Sequence, residues 1–331
     1  MDMKRNKIEE LRNKEGYINL DKLESFIEKG EIVEGSNAKQ WFNFEGVRFL
    51  FKEYDSVLPA FGEVLYSRIA DSCGVDCAEY DFATYKGAIG TISYDFLGEE
   101  KAYYNFLELT TQFMDTKFTL EEIKNNRDLL VLHNNKYNNL FAIKNLLEEI
   151  FNDPDEKERV EVELIKQFCL DVVFWHKDRR LWNYGVVVDE CSDAMFLAPS
   201  HDNSHVLCLE KGKEYIESVI YDLINGESIN DVVGEYSMFD EKKDDSIAQL
   251  LNFYEGSDKN VRKEIENVIS NINIEEVEKL RLTCQIGDIE LLWIKAVLNY
   301  RKSSILNGIE NAKIVEEDVP KKPNITFSKR K

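Results

Sequence analysis

Two acidic residues and one amide near the middle of the chain have the types and spacing that phosphoryl transfer needs. Asp178 and Asn183 fit the spacing H-x-D-x-x-x-x-N in the segment HKDRRLWN, and Asp202 follows in LAPSHDN. In phosphoryl transfer such a carboxylate accepts the proton of the acceptor hydroxyl, and the amide on the same loop binds Mg²⁺. Mg²⁺ prefers hard oxygen ligands. The sequence therefore predicts Asp178 as the catalytic base, with Asn183 and Asp202 as metal ligands.

The segment around these residues predicts a β-hairpin that brings the two metal ligands together. YGVVV and MFLA are apolar strands joined by the turn-forming residues DECSD. Asn183 immediately precedes the first strand and Asp202 follows the second, so both fall at the open end of the hairpin, next to Asp178. Acidic residues and asparagine also cap turns in purely structural loops. The order of buried helix, loop, hairpin and acidic residue favours the functional interpretation.

A second hairpin, earlier in the chain, predicts a phosphate-binding site. QWFNF and VRFLFK are strands joined by a tight turn at Glu45-Gly46. In an antiparallel hairpin the start of the first strand lies beside the end of the second, which brings the loop before QWFNF close to Lys52. A loop of small residues with free backbone N–H groups beside a lysine is typical of sites that hold nucleotide phosphates. The predicted loop residues are Gly35, Ser36, Asn37, Ala38 and Lys39.

Two further segments complete the predicted nucleotide site. Glu63 is expected in the first turn of a helix, where the helix dipole favours an acid. We interpret it as the carboxylate that pairs with Lys52, and the alternative is an N-terminal charge without a partner. The segment SYDFLGEE is a candidate connection between two lobes. The backbone of Tyr94, Asp95 and Phe96 is expected to meet the adenine edge.

The changes in hydrophobic periodicity predict an α+β fold with two lobes. Residues 1–30 have a thin apolar stripe and are predicted to form a helical N-terminal extension. Residues 31–97 form a small β-rich N-lobe, and residues 98–312 form a larger, mainly helical C-lobe. Residues 313–331 are polar and basic, which predicts a flexible tail.

Composition limits the function classes and the compartment. The net charge of −21 repels nucleic acid, so direct DNA or RNA binding is not expected. No segment approaches the run of roughly 18 apolar residues that a membrane helix needs. Six scattered cysteines suit free thiols in a reducing compartment, which predicts a cytoplasmic, bacterial-type protein without a membrane role. His201 and His205 flank Asp202, so a zinc site stays open, but it leaves Lys52 and Asp178 without a role.

These motifs resemble those of the HipA-like serine/threonine kinases, in particular the shorter members that lack the extra N-terminal subdomain of HipA. The resemblance runs in motif order from about Gly35 to Leu207. Family members show an N-x-D-R-H-x-x-N loop and an L-A-P-x-x-D-x metal segment, which correspond here to HKDRRLWN and LAPSHDN. His176 replaces the asparagine of that loop and Arg180 replaces its histidine. Neither replacement removes a catalytic oxygen, and His176 is expected to be a buried support of the loop.

The resemblance implies a two-lobed, protein-kinase-like fold and an ATP- and Mg²⁺-dependent kinase that acts on serine or threonine of a protein substrate. It implies Asp178 as base, Asn183 and Asp202 as metal ligands, and Lys52 with Glu63 at the ATP phosphates. Two alternatives stay open. One is a kinase of a small molecule or lipid headgroup, and the other is a nucleotide-binding, toxin-like module held by an antitoxin partner.

Overall fold

The computed structural model describes residues 8–26, 39–98, 100–226, 228 and 246–318. Within this part the β-structure is concentrated before residue 106, and helices dominate after it. The α+β class and the division into a β-rich N-lobe and a helical C-lobe are therefore confirmed.

The N-lobe is built on one six-stranded sheet with the order β1-β5-β6-β4-β3-β2. All neighbouring strands are antiparallel, except that β1 and β5 are parallel. The β3–β4 and β5–β6 pairs are hairpins, and the first of these is the predicted QWFNF–VRFLFK hairpin. The strands are β1 (Ile18–Asn19), β2 (Ser25–Phe26), β3 (Lys39–Phe44), β4 (Val47–Tyr54), β5 (Tyr80–Tyr85) and β6 (Ala88–Tyr94).

The prediction of a helical N-terminal extension is wrong for its described part, residues 8–26. This segment contains β1 and β2, which form the two edges of the N-lobe sheet. Ile8, Ile18 and Leu20 are buried in the core of that sheet, so the segment is an integral part of the lobe. Strands of two residues are too short to show the alternation of apolar and polar residues by which strands are recognised.

A second sheet of three antiparallel strands belongs to the C-lobe. It consists of β7 (Lys101–Asn105), β8 (Gly185–Asp189) and β9 (Met195–Leu197), in the order β7-β8-β9. The β8–β9 pair is the predicted YGVVV–MFLA hairpin, whereas β7 was not expected. Gly185 is needed beside β7, because a Cβ atom there would lie 2.1 Å from the carbonyl oxygen of Tyr104.

Eleven helices are described, and one of them, α1 (Val57–Cys73), joins the lobes. Twelve of its 17 residues are buried, because it packs on β5 and β6 and also on two C-lobe helices, α9 and α10. The C-lobe helices are α2 (Phe106–Phe113), α3 (Leu120–Asn125), α4 (Arg127–Tyr137), α5 (Leu140–Ile150), α6 (Pro154–Val173), α7 (Lys213–Ile224), α8 (Ser246–Gly256), α9 (Lys259–Asn271), α10 (Glu276–Arg281) and α11 (Asp288–Asp318).

The helix α11 continues beyond the predicted C-lobe boundary at residue 312, so the flexible tail predicted for 313–331 is wrong for residues 313–318. Its Trp293 and Arg301 are fully buried, and Arg301 Nε donates to the carbonyl oxygen of Val172 at the end of α6. In the described part of the chain, no helix has the length and apolar character needed to cross a membrane.

Candidate active site

Lys52 lies on β4 and is placed by strand register. It is opposite Lys39 on β3 and opposite Thr91 on β6. Its side chain is buried, with 8% of the residue exposed. Its Nζ atom contacts Asp202 Oδ1, lies 3.2 Å from Ser204 Oγ and lies 3.7 Å from Glu63 Oε1. Lys52 therefore joins the N-lobe sheet to the segment that follows the C-lobe hairpin.

Glu63 is the predicted partner of Lys52, but the helix dipole does not place it. It is the seventh residue of α1, so the prediction of a first-turn position is wrong. The carboxylate is fully buried, and its Oε2 atom accepts hydrogen bonds from Tyr54 Oη (2.6 Å) and Thr91 Oγ1 (2.7 Å). Its Oε1 atom, which faces Lys52, accepts no hydrogen bond within the described residues. Two strand residues therefore orient Glu63 toward the ammonium group.

The charges of Lys52 and Asp202 stabilise each other. Burial by itself lowers the pKa of Lys52, but the carboxylates of Glu63 and Asp202 outweigh this effect and raise the pKa above its ordinary value. Burial raises the pKa of Asp202, and the positive charges of Lys52 and Lys39 overcome it and hold that pKa well below its usual range. Both groups are therefore charged at neutral pH.

The predicted phosphate loop lies almost entirely outside the described residues, since Gly35, Ser36, Asn37 and Ala38 precede residue 39. Lys39 is described, and its pairing with Lys52 brings the residue that follows the predicted loop beside that lysine. Its effect on the pKa of Asp202 also places the Lys39 charge near that carboxylate.

The end of α6 leads into the predicted catalytic loop, and His176 supports that loop from inside. His176 is fully buried, and its Nδ1 atom accepts a hydrogen bond from the backbone N–H of Asp178 (3.2 Å). Burial, followed by the positive charge of Arg179, lowers the pKa of His176 to about 4. The ring is therefore neutral at pH 7, as an acceptor of that bond must be. The predicted supporting role of His176 agrees with this geometry.

Asp178 and Asn183 are held together within the loop. Asn183 Nδ2 donates to the backbone carbonyl of Asp178 (2.5 Å) and to its Oδ2 atom (3.2 Å), while Arg180 Nε donates to Asp178 Oδ1 (2.7 Å). Both hydrogens of the Asn183 amide group point toward Asp178. Its Oδ1 atom accepts no hydrogen bond within the part of the chain that the structure describes. The group of Asn183 that is available to a cation is therefore an oxygen.

Arg179 links the catalytic loop to the segment that carries Asp202, and it was not among the predicted site residues. Its guanidinium pairs with both carboxylate oxygens of Asp171 (2.8 and 3.0 Å). It also donates to the backbone carbonyls of Asn183 and His201, both at 2.9 Å. A further bond reaches Asn203 Oδ1 at 2.6 Å. The two carbonyls share one guanidinium nitrogen, which holds Asn183 close to His201, the neighbour of Asp202.

The signal that could have found Arg179 is its charge in an apolar setting. It lies between a buried helix and a buried strand, and a fully buried arginine needs several acceptors to offset its desolvation. Asp171 is the matching charge in α6, and Tyr66 Oη donates to Asp171 Oδ1 (2.7 Å) from α1.

Asp202 lies beyond the end of β9, as predicted, and its backbone adopts a left-handed conformation (φ 56°). Its backbone N–H donates to Tyr80 Oη on β5 (3.0 Å), so a residue of the N-lobe sheet holds the backbone of Asp202 in place. The zinc alternative has no support, because His201 Nδ1 lies 2.9 Å from the carbonyl of Pro199 and its Nε2 lies 3.3 Å from Tyr103 Oη. Among the residues described, no three His, Cys, Asp or Glu side chains are grouped to hold a metal ion.

Comparison with known proteins gives the fold. No protein-family model matches the sequence, and no curated protein matches it. The solved structure of the Helicobacter pylori proinflammatory kinase CtkA is similar, with a TM-score of 0.69 and 16% sequence identity, over 91% of this chain and 99% of that chain. The chain has a kinase-like fold. The toxin HipA of Shewanella oneidensis MR-1, solved with HipB and operator DNA, gives a TM-score of 0.46 and 13% identity, over 86% of this chain and 66% of that chain.

The kinase-like fold that the resemblance implied is thus confirmed. In this kinase-like arrangement the segment Tyr94–Phe96 leaves β6 between the lobes, as predicted. Two of its donors are already used, because the N–H of Tyr94 donates to the Glu79 carbonyl (3.2 Å) and that of Asp95 to the Arg48 carbonyl (3.1 Å). Adenine recognition by these two N–H groups therefore conflicts with the structure, which leaves the N–H of Phe96 and the carbonyl groups of the segment.

Proposed function

We propose that this chain is an ATP- and Mg²⁺-dependent kinase that transfers the γ-phosphoryl group of ATP to a serine or threonine hydroxyl of a protein. The observation that carries the proposal is the buried contact of Lys52 with both Glu63 and Asp202. A lysine held by a helix carboxylate beside an acidic metal segment is the arrangement with which kinases bind nucleotide phosphates.

The other charged groups fit the same reaction. Asp178 has one carboxylate oxygen 2.7 Å from Arg180 Nε and is partly exposed, so an acceptor hydroxyl can approach it. The acceptor oxygen bonds to the γ-phosphorus while the bond to the β–γ bridging oxygen breaks, and ADP leaves. The proton of the hydroxyl passes to Asp178 as the attack proceeds. Lys52 would neutralise the negative charge of the phosphates.

The residues present also suit Mg²⁺. Asn183 presents its amide oxygen, and Asp202 presents a carboxylate that stays ionised because of Lys52 and Lys39. Two such hard oxygens, with water and phosphate oxygens, form the kind of shell that Mg²⁺ accepts. When bound, the ion would offset the charge that develops on the phosphate oxygens.

The decisive test is the transfer of label from γ-labelled ATP to a protein mixture. We expect labelled protein bands with the wild-type chain and with the control Asp193→Asn, which makes the same change in the exposed β8–β9 turn. Asp178→Asn should give none. Label that appears only in small molecules or lipids would favour the alternative acceptors, and nucleotide binding without any transfer would favour a regulatory module. An antitoxin-like partner stays a prediction, and co-purification of the tagged chain from cell extract would test it.

A further inference from the structure

A groove of about 570 Å³ lies between the N-terminal half of α6 and strand β9. We call it the β9 groove. Its walls are residues 155–167 of α6 on one side and Met195–Leu197 on the other, with Asp76 at one end. None of its residues takes part in the proposed chemistry. The chain does connect the two places, because β9 leads through Pro199 and Ser200 to Asp202.

One wall of the groove is an open sheet edge. β9 is the outer strand of its sheet, and its pairing with β8 is bracketed by the bonds Asp189 N–H to Ala194 O and Ala198 N–H to Gly185 O, both 2.9 Å. In an antiparallel ladder, alternate residues bond to the same neighbour. The backbone N–H and C=O groups of Phe196 therefore point toward β8, and those of Met195 and Leu197 point away from it, toward the groove. Such an edge can accept a further strand.

The groove also has an apolar surface with a strongly acidic border. Val162, Met195 and the half-exposed Phe196 supply apolar contacts. The lining carboxylates outnumber the single cationic residue, Arg159, which lies 3.7 Å from Glu156 on its own helix. Asp76, Asp155 and Glu158 form no ion pair within the described residues, whereas Glu163 pairs with Lys166 (2.8 Å). Three carboxylates at the border are thus left to a cationic ligand.

Gln167 and Asp76 are two further hydrogen-bond acceptors in the groove lining, and they favour a cationic ligand that donates hydrogen bonds. Gln167 is 2% exposed and lines the groove, and its Nε2 atom donates to the Ala198 carbonyl (2.8 Å). Its Oε1 atom accepts no hydrogen bond from the residues that the structure describes. Burial, and then the negative charge of Glu163, raise the pKa of Asp76.

We propose that the β9 groove binds an extended, basic segment of a partner protein, which pairs with β9 as an added strand. The open edge provides main-chain hydrogen bonds, the apolar wall accepts alternate side chains, and the carboxylates accept Lys or Arg. A second copy of this chain is disfavoured as the occupant, because the same acidic border and a net charge of −21 would face each other. The proposal does not depend on phosphoryl transfer.

The test measures binding of a fluorescein-labelled peptide of alternating lysine and valine, about eight residues long and blocked at both ends, by anisotropy without nucleotide. We expect saturable binding to the full chain and none of the matched peptide with glutamate in place of lysine. Two further peptides are N-methylated, one at every lysine and one at every valine. Because alternate N–H groups of a strand point to one side, only one of the two should lose binding, by about tenfold or more.

Protein variants separate the groove from general attraction to an acidic surface. The double variant Asp155→Lys/Glu158→Lys should weaken peptide binding by about tenfold. Its control, Asp128→Lys/Glu149→Lys, makes the same change of charge, also with one site in the first turn of a helix, on α4 and α5. We expect the control to bind within about twofold of the wild type.

Four results would overturn the proposal. The first is that the basic peptide does not bind, and the second is that both double variants weaken binding equally. The third is that the two N-methylated peptides bind alike, which would exclude strand addition. The fourth is tighter peptide binding by the variant Lys329→Glu/Arg330→Glu, which would make the chain's own basic tail the occupant.

Discussion

Lys52 and Asp202 meet at the site, but the two hairpins that carry them position them in different ways. Lys52 lies within β4 and is fixed by pairing on both sides, with Lys39 and with Thr91. Asp202 lies beyond the end of β9, where strand pairing has ended. It is held by Tyr80 and, through His201, by the buried guanidinium of Arg179. Strand register thus places the cation, whereas side-chain hydrogen bonds, above all those of the buried Arg179, place the acidic and amide groups.

The largest effect is expected at Asp178, the proposed catalytic base of the C-lobe. Asp178→Asn keeps the shape of the side chain but removes the proton acceptor, and we expect transfer to fall by about 10²–10⁴-fold. The measurement is the initial rate with γ-labelled ATP, and Asp193→Asn is the control. An unchanged unfolding midpoint in urea would show that the loss is chemical. Full activity in Asp178→Asn would exclude this residue as the base.

Removal of the Arg179 guanidinium tests whether the C-lobe part of the site depends on this side chain. Arg179→Gln leaves Asp171 buried without its partner, and we expect the free energy of unfolding to fall by about 3–5 kcal/mol. The N-lobe comparison is Arg12→Gln, which removes a partly exposed guanidinium from the buried Asp81 (2.7 Å). It should cost less than Arg179→Gln, because Arg68 lies 3.8 Å from the same carboxylate and remains. Urea denaturation measures both. Equal losses would contradict the idea that the C-lobe depends on one guanidinium.

The pH dependence of stability tests whether the buried histidines are neutral in the folded chain. The pKa values of His176 and His133 are both lowered to about 4 from an ordinary value of 6.5, mainly by burial. The unfolded chain therefore takes up protons below pH 6.5 that the folded chain does not bind. Their contribution to stability is complete above pH 6.5 and is lost as the pH falls toward 4.

Replacement of His176 isolates its share of this effect. In His176→Asn, the decrease in the free energy of unfolding between pH 6.5 and 4.5 should be smaller by up to about 2 kcal/mol, since one shifted group is removed. Urea titrations at a series of pH values measure it. A pH profile parallel to that of the wild type would mean that His176 is already charged in the folded chain.

The smallest effect is expected at the orienting bonds of the N-lobe. Tyr54→Phe removes one of the two hydrogen bonds to Glu63 Oε2, and Thr91 keeps the other. We expect a loss of about 1 kcal/mol in stability and a modest weakening of nucleotide affinity, measured by calorimetry. Tyr104→Phe, at a side chain that is 45% exposed, is the control. A loss as large as that of Arg179→Gln would show that register does not suffice to place Lys52.

Local patterns were sufficient for the hairpins and for the order of the chemical groups. The alternation in QWFNF and VRFLFK predicted the pairing of Lys39 with Lys52, and the two apolar strands after Asn183 predicted that Asp202 follows the same hairpin. Both results depend on contacts between segments that are close in sequence. The same patterns could not show β1 and β2, because these strands have only two residues each. They could not show β7, because its partner β8 lies far along the chain.

By itself, the sequence determined which groups are available for chemistry and the order in which two hairpins present them. Only the tertiary structure decided that Glu63 is oriented by Tyr54 and Thr91 instead of a helix end, and that Arg179 joins the two C-lobe segments. The hydrogen bonds that a buried charge forms depend on which donors and acceptors the packed fold brings within reach. Sequence spacing does not contain that information. The open edge of β9 is a further result of topology, because it depends on which strand ends the sheet.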